Sequence, residues 1–385
     1  MTLGSIPSTR PRRAYRICSR CVMDTTDPDI VFDENNHCNH CTAALARMNE
    51  QLLPPTERDA ALMDLVSTIK TEGRHKEYDC IIGVSGGCDS TTTAYMVKQL
   101  GLRPLAVHFD NGWDSELAVD NITRTLTSLQ VDLFTYVVDW EEFRDLQLSF
   151  IRSSVANAEA PTDHGITALL FRTARKHRVR FILSGSNLVT EAIMPHAWSH
   201  FNQDLRLLKA LHRRFGTVTL RTMPTIGIPS YMYSVFIHGI RQIPFLNYIQ
   251  YDKSAWKKTL TAAIGWRDYG GKHYESIWTR FFQGYYLPKK FGYDKRRAHY
   301  STMICSGLMT RGEALSEMEN PTYDDPRLLE EDKAYVLKKF GLSEHEFNDI
   351  LATPGRPVSD YPSHEFLFRR LEKHKNKFRR IATTP

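Results

Sequence analysis

The sequence predicts an α/β protein built on a parallel sheet, and two observations carry that prediction. Short apolar runs alternate with helical segments, and turn residues separate them. This alternation is typical of βαβ units, whose crossovers are right-handed. The predicted strands are 78–84, 105–109, 133–138 and 181–183, and the predicted helices are 55–76, 90–100, 122–129, 142–154 and 167–177.

Each predicted element rests on its own local pattern. The first helix places Leu62, Val66 and Ile69 on one face. The first strand is an apolar run that ends in glycine, which is typical of a strand buried on both faces. Gly101 marks the end of the helix that follows. Beyond residue 205 the alternation ends and aromatic and basic residues dominate, so we expect a mostly helical C-terminal region.

Composition sets the broad class. Of the 385 residues, 42% are hydrophobic and 24% are charged, which is ordinary for a soluble globular protein. The most apolar stretch, 231–251, is interrupted by His238, Arg241 and Pro244, so it is not expected to span a bilayer. The basic N-terminus lacks the apolar segment of a secretory signal, and the odd number of cysteines disfavours a disulfide framework. We therefore expect a cytoplasmic protein without a membrane partner.

A glycine-rich loop, here named the phosphate loop, lies between the first predicted strand and the next helix. Its residues are Ser85, Gly86, Gly87, Cys88, Asp89 and Ser90. The glycines let the backbone approach a phosphate, and the following helix directs N–H groups and its positive dipole end at an anion. Ser85 and Ser90 add hydroxyl donors, and Asp89 can bind Mg²⁺. The loop lacks both the Gly-Lys-Ser/Thr ending of a Walker A motif and the dinucleotide GxGxxG spacing.

The phosphate loop resembles the SGGxDS signature of PP-loop ATP pyrophosphatases, the adenine nucleotide α-hydrolase-like superfamily of asparagine, GMP and NAD synthetases. The resemblance implies that the loop holds the pyrophosphate that leaves when AMP passes to a substrate oxygen. It also implies that the segment of His108 and Asp110 holds adenine. Gly185 and Glu191 resemble an NAD synthetase segment whose glutamate joins Mg²⁺, although Glu191 is equally compatible with a plain surface carboxylate.

Four cysteines near the N-terminus form a second chemical signal. They are Cys18, Cys21, Cys38 and Cys41. Their two Cys-x2-Cys pairs have the spacing of a tetrahedral Zn²⁺ site, and four thiolates leave no open position for water. We expect a structural zinc that supplies folding energy to an arm with few apolar residues, with an iron–sulfur cluster or redox-active thiols as alternatives. The other cysteines are expected in the core or at the variable position of the phosphate loop: Cys80, Cys305 and Cys88.

Charged residues supply candidates for substrate binding. The net charge of +6 favours an anionic partner, although solvated helix faces explain part of it. A set of cations interleaved with aromatic residues is the best candidate for binding ATP phosphates and an anionic substrate. This set is Lys272, Arg280, Lys289, Lys290, Lys295, Arg296 and Arg297. Asp163 and His164, expected in a turn before a helix, can orient the substrate or accept a proton, and a helix N-cap by Thr162 or Asp163 is the alternative.

Five motifs along the chain form a distinctive combination. They are CxxCVMDTTDPDI from residue 18, the phosphate loop, PTDHG from residue 161, DYGGKHYE from residue 268 and TRFFQGYYLPKK from residue 279. Together they resemble the N-acetyl sugar amidotransferases of bacterial surface-polysaccharide synthesis, the WbpG-like and PseA-like family.

The family resemblance implies a reaction and a set of partners. The reaction is the ATP-dependent conversion of an N-acetyl group on a nucleotide-activated sugar to an acetamidino group. It proceeds through an adenylated imidate that ammonia attacks, and it serves O-antigen or flagellin-glycan biosynthesis. The implied ammonia source is a separate HisH-like glutaminase with a HisF-like partner, and no nucleic acid is expected. Ser85, Asp89, Asp163, His164 and Lys272 are the candidate catalytic residues.

Three parts are expected along the chain. They are a zinc-binding arm and linking helix over 1–70, a PP-loop ATP pyrophosphatase domain over 71–235 and a helical substrate region over 236–385. Two alternatives remain open. A tRNA-modifying PP-loop enzyme, a thiolase or a lysidine-type ligase, also pairs this loop with cysteine clips, but a thiolase needs a reactive cysteine pair outside the metal site. A non-enzymatic zinc-ribbon module is disfavoured by the presence of Asp89 and both loop serines.

Overall fold

The apolar runs of the sequence come together as a parallel sheet. The computed structural model describes residues 14–271, 274–323, 325–368 and 370. The strands of this part of the chain are β1 (Cys80–Gly83), β2 (Pro104–Asp110), β3 (Asp132–Val137), β4 (Phe181–Ser184) and β5 (Arg241–Pro244). Their order is β3-β2-β1-β4-β5, and each neighbouring pair is parallel. The carboxyl ends of these strands therefore meet at one edge of the sheet.

Helices cover both faces of the sheet and form most of the chain after β5. The α-helices of the described ranges are α1 (Asn39–Gln51), α2 (Pro55–Gly73), α3 (Cys88–Gln99), α4 (Glu116–Leu129), α5 (Trp140–Ser153), α6 (Ala160–Lys176), α7 (Leu188–Glu191), α8 (Leu205–Phe215), α9 (Ile228–Met232), α10 (Lys253–Ile264), α11 (Ile277–Phe281), α12 (Leu287–Phe291), α13 (Lys295–Cys305), α14 (Arg311–Glu319), α15 (Pro326–Phe340) and α16 (Glu344–Ala352). Shorter segments are the π-helical turns Tyr233–Ile237 and Phe282–Tyr286 and the 3₁₀ turns Phe245–Tyr248 and Val358–Asp360. Within the residues given above, no helix combines the length and the apolar character needed to cross a membrane.

The buried strand residues divide between two cores, one on each face of the sheet. Ile81 of β1 belongs to the core that α5 and α6 cover, whereas Ile82 belongs to the core that α3 and α4 cover. On β2, Val107 and Ala106 divide between the two cores in the same way. Successive side chains of a strand point to opposite faces, so a strand with both faces covered is a continuous apolar run.

The predicted fold class is confirmed: an α/β protein with a parallel sheet, an N-terminal cysteine arm and a mostly helical C-terminal region. All four predicted strands are present. The sequence does not predict β5, because its four residues, RQIP, carry no alternating apolar pattern. β5 lies beyond residue 235 and extends the sheet past that expected boundary. The division into three parts stays a prediction.

Helix α6 is longer at its amino end than the sequence predicts. It begins directly after Glu159, with Pro161 in its first turn, where the missing N–H of proline is tolerated. Asp163 therefore lies in the first turn of α6 and His164 directly after it, not in a turn before a helix. The N-cap position is that of Glu159, so the alternative of an N-cap by Thr162 or Asp163 is wrong.

An aromatic cluster joins the sheet to the C-terminal helices. Trp113, in the loop after β2, is fully buried. Its ring centroid lies 5.8 Å from that of Trp278 on α11 and 5.1 Å from that of Phe340 on α15. Its indole N–H donates to Gln147 Oε1 at 2.8 Å, which satisfies the polar group in the core. The cluster fixes the C-terminal helices beside the carboxyl edge of the sheet.

Leu126→Ala on α4 should lower the free energy of unfolding by about 2–5 kcal/mol, because it leaves a cavity in a core. Val119→Ala on the same helix should change it by less than about 0.5 kcal/mol, since Val119 is 51% exposed. Urea denaturation of the two variants measures the difference. Equal effects would contradict the orientation of α4.

Candidate functional site

The candidate site lies where the loops after β1 and β4 meet. The chain runs from β1 outward to β2 and β3 and then returns to β4 on the other side of β1. Such a switch point is where open α/β sheets bind ligands. Gly185, after β4, packs against the phosphate loop: a Cβ at Gly185 would lie 2.9 Å from the carbonyl carbon of Asp89. Only glycine allows the two loops to lie this close.

The phosphate loop has a conformation that requires its glycines. Gly86 has a φ of +75°, and a Cβ there would lie 2.5 Å from the carbonyl oxygen of Ala118 on α4. Gly87 is the N-cap of α3, whose first N–H groups have no acceptor within the helix. The hydroxyl oxygens of Ser85 and Ser90 are 3.2 Å apart. Hydroxyl groups and a helix N-terminus are thus directed to one place, as an anion site requires.

Two aromatic residues after α10 hold the phosphate loop through its backbone. The carbonyl oxygen of Gly86 accepts a hydrogen bond from the indole N–H of Trp266 at 2.9 Å and another from the hydroxyl group of Tyr269. Trp266 is fully buried. Two donors on one carbonyl fix the peptide plane of the loop, so its N–H groups keep their direction.

The carboxylate of Asp89 is held by a phenol and an ammonium group. It accepts hydrogen bonds from the hydroxyl group of Tyr251 and, at 3.0 Å, from Lys253 Nζ. Burial and the charge of Asp89 raise the pKa of Tyr251, so the phenol remains a donor. Burial lowers the pKa of Lys253, but Asp89 outweighs burial and the pKa is raised. Sequence reasoning missed both residues, because no motif links them to a loop more than 160 residues earlier.

The phosphate loop opens onto a cavity of about 960 Å³ between the sheet edge and the C-terminal helices. This volume is at the upper end of ligand pockets, which measure roughly 300–1,000 Å³. The predicted site residues that line the cavity are Ser85, His108, Asp163, Gly185, Glu191, Arg280, Lys295 and Arg296. Lining residues that the sequence did not single out include Asp114, Glu159, Gln283 and His299.

His108 on β2 is fixed between the backbone and a carboxylate. Its Nδ1 lies 2.9 Å from the carbonyl oxygen of Val84, and its Nε2 lies 3.1 Å from Asp114 Oδ2. Burial lowers the pKa of His108, but the hydrogen bond and charge of Asp114 outweigh burial, so the pKa is raised. Asp110, predicted beside it, does not line the cavity; its carboxylate accepts the N–H of Gly112 at 2.8 Å and shapes the turn after β2.

Carboxylates gather around Asp163 in the cavity wall. Asp163 Oδ2 accepts a hydrogen bond from Asn202 Nδ2 at 2.6 Å. Glu159, one turn earlier, forms an ion pair of 3.3 Å with Lys295. Burial and the charges of Glu159 and Glu191 raise the pKa of Asp163 to about 7, against the opposing charge of Lys295. Asp163 therefore exchanges its proton near neutral pH, as a general acid or base must.

His164, predicted as catalytic, lies outside this cavity and is fully buried. Its Nδ1 lies 2.9 Å from the carbonyl oxygen of Asn202, and its Nε2 accepts the N–H of Ile226 at 3.1 Å. Burial lowers its pKa, which favours the neutral ring that these contacts require. Successive helical side chains point about 100° apart, so Asp163 faces the cavity while His164 faces the core. The structure corrects the catalytic assignment of His164 to a structural role.

Two lysines predicted to bind phosphate do not line the cavity. Lys290 is buried and donates to the carbonyl groups of Ile350 and, at 2.6 Å, Thr353 at the end of α16. Burial lowers the pKa of Lys290 to about 8, and a helix C-terminus attracts the cation. Lys289 is exposed on α12. Neither lysine therefore contributes to the cavity wall. Lys272, which was also predicted, lies outside the described residues.

Three cations of the predicted set line the cavity. Arg296 pairs with Asp294 at 2.8 Å, and Arg280 forms two hydrogen bonds of 2.6 Å to Asp332. Lys295 pairs with Glu159, as described above. Each of the three cations is therefore paired with a carboxylate that holds it in a fixed direction and balances its charge within the protein.

Comparison with known protein families identifies the part of the chain that forms the C-terminal wall of the cavity. Residues 275–375 match the family model of the LPS biosynthesis protein WbpG-like, C-terminal domain. This chain has a WbpG-like C-terminal domain. The resemblance predicted from the motifs is confirmed. The domain contributes Arg280, Lys295 and Arg296 to the cavity.

Several solved structures resemble the chain at low identity. An NH3-dependent NAD synthetase from Campylobacter jejuni is 14% identical with a TM-score of 0.27, and the match covers 34% of this chain and 58% of that chain. A predicted tRNA methyltransferase subunit from Methanocaldococcus jannaschii is 12% identical with a TM-score of 0.28, and the match covers 47% of this chain and 75% of that chain. An NMN synthetase from Francisella tularensis is 13% identical with a TM-score of 0.29, and the match covers 55% of this chain and 96% of that chain. The match therefore spans less than two thirds of the NAD synthetase. No curated protein sequence matches the chain. Similarity at this level transfers no activity.

The four cysteines of the N-terminal arm form a compact cluster. Their sulfur atoms all lie within 4.8 Å of one another, with 3.8 Å between Cys18 and Cys41 and 3.6 Å between Cys21 and Cys38. A tetrahedron with Zn–S bonds of about 2.3 Å has sulfur separations of roughly 3.8 Å. All four cysteines are free and buried. The cluster thus has the ligands and the dimensions of a four-thiolate metal site.

The cysteine arm is fixed to the WbpG-like domain. Arg297 on α13 forms an ion pair of 3.0 Å with Asp24 and donates to the carbonyl oxygen of Val22 at 2.9 Å. The N–H of Val22 donates to Ser301 Oγ at 3.1 Å. Arg311 on α14 donates to the carbonyl oxygens of two cluster cysteines at 3.0 and 3.1 Å. Arg297, predicted with the substrate cations, therefore binds the arm.

The other cysteines are buried or partly buried outside the four-cysteine cluster. Cys80 is fully buried in β1, and Cys88 is buried at the start of α3, which agrees with a filling role in the phosphate loop. Burial raises the pKa of Cys80 and Cys88 and raises that of Cys305 to about 12. A nucleophilic thiol needs a lowered pKa, so these surroundings disfavour a thiolase.

The pKa of Asp163 predicts a pH-dependent stability. The folded pKa of about 7 exceeds the ordinary 3.8, so the proton binds the folded state more tightly than the unfolded state. The resulting stabilisation is present below about pH 4 and is lost as the pH rises through about 7. Asparagine does not titrate, so the Tm of Asp163→Asn minus that of the wild type should increase as the pH rises between these two values. Calorimetry at constant ionic strength measures the gain, and a difference independent of pH would contradict the raised pKa.

Proposed function

We propose that the chain is an ATP-dependent N-acetyl sugar amidotransferase of O-antigen or flagellin-glycan biosynthesis. It converts the N-acetyl group of a nucleotide-activated sugar into an acetamidino group and releases AMP and pyrophosphate. The observation that carries the proposal is a single cavity shared by the phosphate loop and the WbpG-like domain. Ser85 lines it from the loop, and Lys295 and Arg296 line it from the domain.

The proposed reaction has two steps. In the first, the amide oxygen attacks the α-phosphorus of ATP; an O–P bond forms, the bond to the β-phosphate breaks and pyrophosphate leaves. In the second, ammonia attacks the imidate carbon, the nitrogen loses a proton and AMP departs with the former amide oxygen. The net change exchanges oxygen for NH. Adenylation comes first because an unactivated amide oxygen is a very poor leaving group.

The described residues suit these steps. Ser85, Ser90 and the first N–H groups of α3 donate to the departing pyrophosphate and are ordered before the reaction, as electrostatic stabilisation requires. Asp163 accepts the proton from the attacking nitrogen, because its pKa of about 7 leaves a substantial unprotonated fraction at neutral pH. Arg296 and Lys295 bind the anionic groups of the sugar nucleotide.

Mg²⁺ would be held by Asp89 and Glu191. Asp89 lies in the first turn of α3 and Glu191 lies at the end of α7, after β4, so both carboxylates flank the switch point. Carboxylate oxygens are the protein ligands that Mg²⁺ prefers. When bound, the ion neutralises charge on the phosphates of ATP.

The remaining partners follow from the family resemblance. We propose that ammonia comes from a separate HisH-like glutaminase acting with a HisF-like partner. Since ATP and nucleotide sugars are the proposed substrates, we also propose a cytoplasmic location.

Ser85→Ala and Asp89→Ala should each reduce AMP release by at least about 100-fold, since each removes a group that acts on the phosphates. The assay contains ATP, Mg²⁺, ammonium and a candidate nucleotide sugar, either a UDP-linked diacetamido uronic acid or a CMP-linked nonulosonic acid. Asp59→Ala, an exposed substitution on α2, is the control and should retain activity. Unchanged turnover in both loop variants, with melting temperatures near the wild type, would refute the role of the loop.

Mass spectrometry of the nucleotide sugar tests the reaction itself. The product should carry NH in place of one oxygen atom, and one AMP should form for each product molecule. Accumulation of ADP would contradict the proposal. Modification of tRNA under the same conditions would instead favour the tRNA-modifying alternative.

We further propose that the cysteine cluster holds one structural Zn²⁺. Its four buried sulfur atoms fit a closed tetrahedral site, and the arm offers few other apolar residues for folding. The ion would supply folding energy to the arm, whose contacts with α13 and α14 are described above.

Metal analysis should find one zinc per chain. Cys21→Ser should lose the metal and lower the Tm, because binding energy contributes to folding. Cys305 packs against the buried residues around the four cysteines but is not one of the four, so Cys305→Ser should keep both the metal and the Tm. Iron with sulfide in the purified protein would show that the cluster holds an iron–sulfur centre instead.

A further inference from the structure

An exposed apolar ridge lies between β4 and β5. It consists of Tyr231, Met232, Tyr233, Phe236 and Ile237, on α9 and the π-helical turn that follows. Phe236 and Ile237 are 70% and 69% exposed, and the other three are 40–52% exposed. The inner side of the segment is mixed: Ser234 is fully buried and its hydroxyl group donates to the carbonyl oxygen of Ser230, while Val235 packs against the core. The segment thus leaves five large apolar side chains exposed, whereas an ordinary surface helix directs such side chains to the core.

A basic pocket of about 480 Å³ adjoins the ridge. Ile237 belongs to both, so the apolar and basic surfaces are continuous. The cations that line the pocket are Lys76, Arg175, Arg178 and Arg180. Among its described lining residues the one carboxylate is Glu72, which pairs with Arg180 at 3.2 Å. Arg175 donates to Ser230 Oγ at 3.1 Å, which ties the pocket to the base of α9.

The ridge and the pocket lie away from the proposed active site. Val179 and Arg180 directly precede β4, and Ile240 directly precedes β5, so the pocket lies at the amino ends of these strands. The cavity beside the phosphate loop lies at their carboxyl ends. A surface could therefore cover the ridge and leave the cavity open.

We propose that the ridge and the basic pocket bind an anionic phospholipid surface. The aromatic and aliphatic side chains enter the boundary between headgroups and acyl chains, and the cations contact lipid phosphates. The interruptions at His238 and Arg241 exclude a membrane-spanning helix, but a segment that lies in the interface needs only one apolar side. This inference goes beyond the proposed activity and contradicts the expectation of no membrane partner.

Charge disfavours two other occupants of the ridge. A second copy placed ridge to ridge would bring two basic pockets together, and like charges repel. The sequence segments outside the described residues, 1–13 and 371–385, are rich in lysine and arginine and are not complementary to a basic pocket. An anionic lipid surface matches both the charge and the apolar character of this face.

Vesicle co-sedimentation tests the proposal with the full-length protein. The protein should bind vesicles of phosphatidylcholine with phosphatidylglycerol, and binding to phosphatidylcholine alone should be much weaker. Phe236→Ser and Ile237→Ser should each lower the partition coefficient about tenfold, since each removes an inserted side chain. Arg178→Gln should weaken binding and reduce its dependence on salt. Phe366→Ser is the matched control, because Phe366 is 79% exposed and lies outside the ridge.

The outcomes separate this proposal from the proposed activity. AMP formation should be unchanged in Phe236→Ser, whatever the substrate proves to be. Absence of binding to the anionic vesicles would overturn the proposal, as would equal losses in Phe236→Ser and Phe366→Ser. If Phe236→Ser converts a dimer to a monomer in light scattering and the vesicles do not bind, the ridge is an interface between copies and the lipid proposal fails.

Discussion

The parallel pairing of β1 with β4 is the constraint on which the candidate site depends. It brings the phosphate loop beside the loop of Gly185, and a side chain larger than hydrogen there would press on the backbone of Asp89. The same pairing directs Glu191, after β4, toward the cavity that Ser85 lines. Two loops almost 100 residues apart in sequence therefore act as one wall because two strands are neighbours in one sheet.

The phosphate loop also depends on residues that have no part in its motif. Trp266 and Tyr269 bind the carbonyl oxygen of Gly86, and Tyr251 and Lys253 bind the carboxylate of Asp89. A glycine-rich loop has many accessible conformations, and these four contacts reduce them before any ligand arrives. Pre-organised donors are the ones that stabilise charge during a reaction, so these four residues contribute to the site without lining the cavity.

The sequence predicted features whose residues are close together in the chain, such as the four first strands, the phosphate loop and the cysteine pairs. It could not predict contacts such as that between Lys253 and Asp89, since no period or spacing links residues so far apart. It also treated Asp163 and His164 as one unit. Helix α6 begins some seven residues earlier than the sequence pattern predicts, so both residues are helical. Their side chains therefore point in different directions, and only Asp163 faces the cavity. Lys290 shows the same limit, because its partner carbonyl groups lie some 60 residues later.

Helix α13 connects the cysteine arm to the cavity. One side of the helix contacts the arm through Arg297 and Ser301, and Thr302 accepts the N–H of Ile193, which follows α7. Its first turn carries Lys295 and Arg296 to the cavity. A helix of three turns held at its middle by two neighbours cannot shift without breaking those contacts, so the arm helps to set the position of the cavity cations on its first turn. This gives the small arm a geometric function in addition to any metal that it holds.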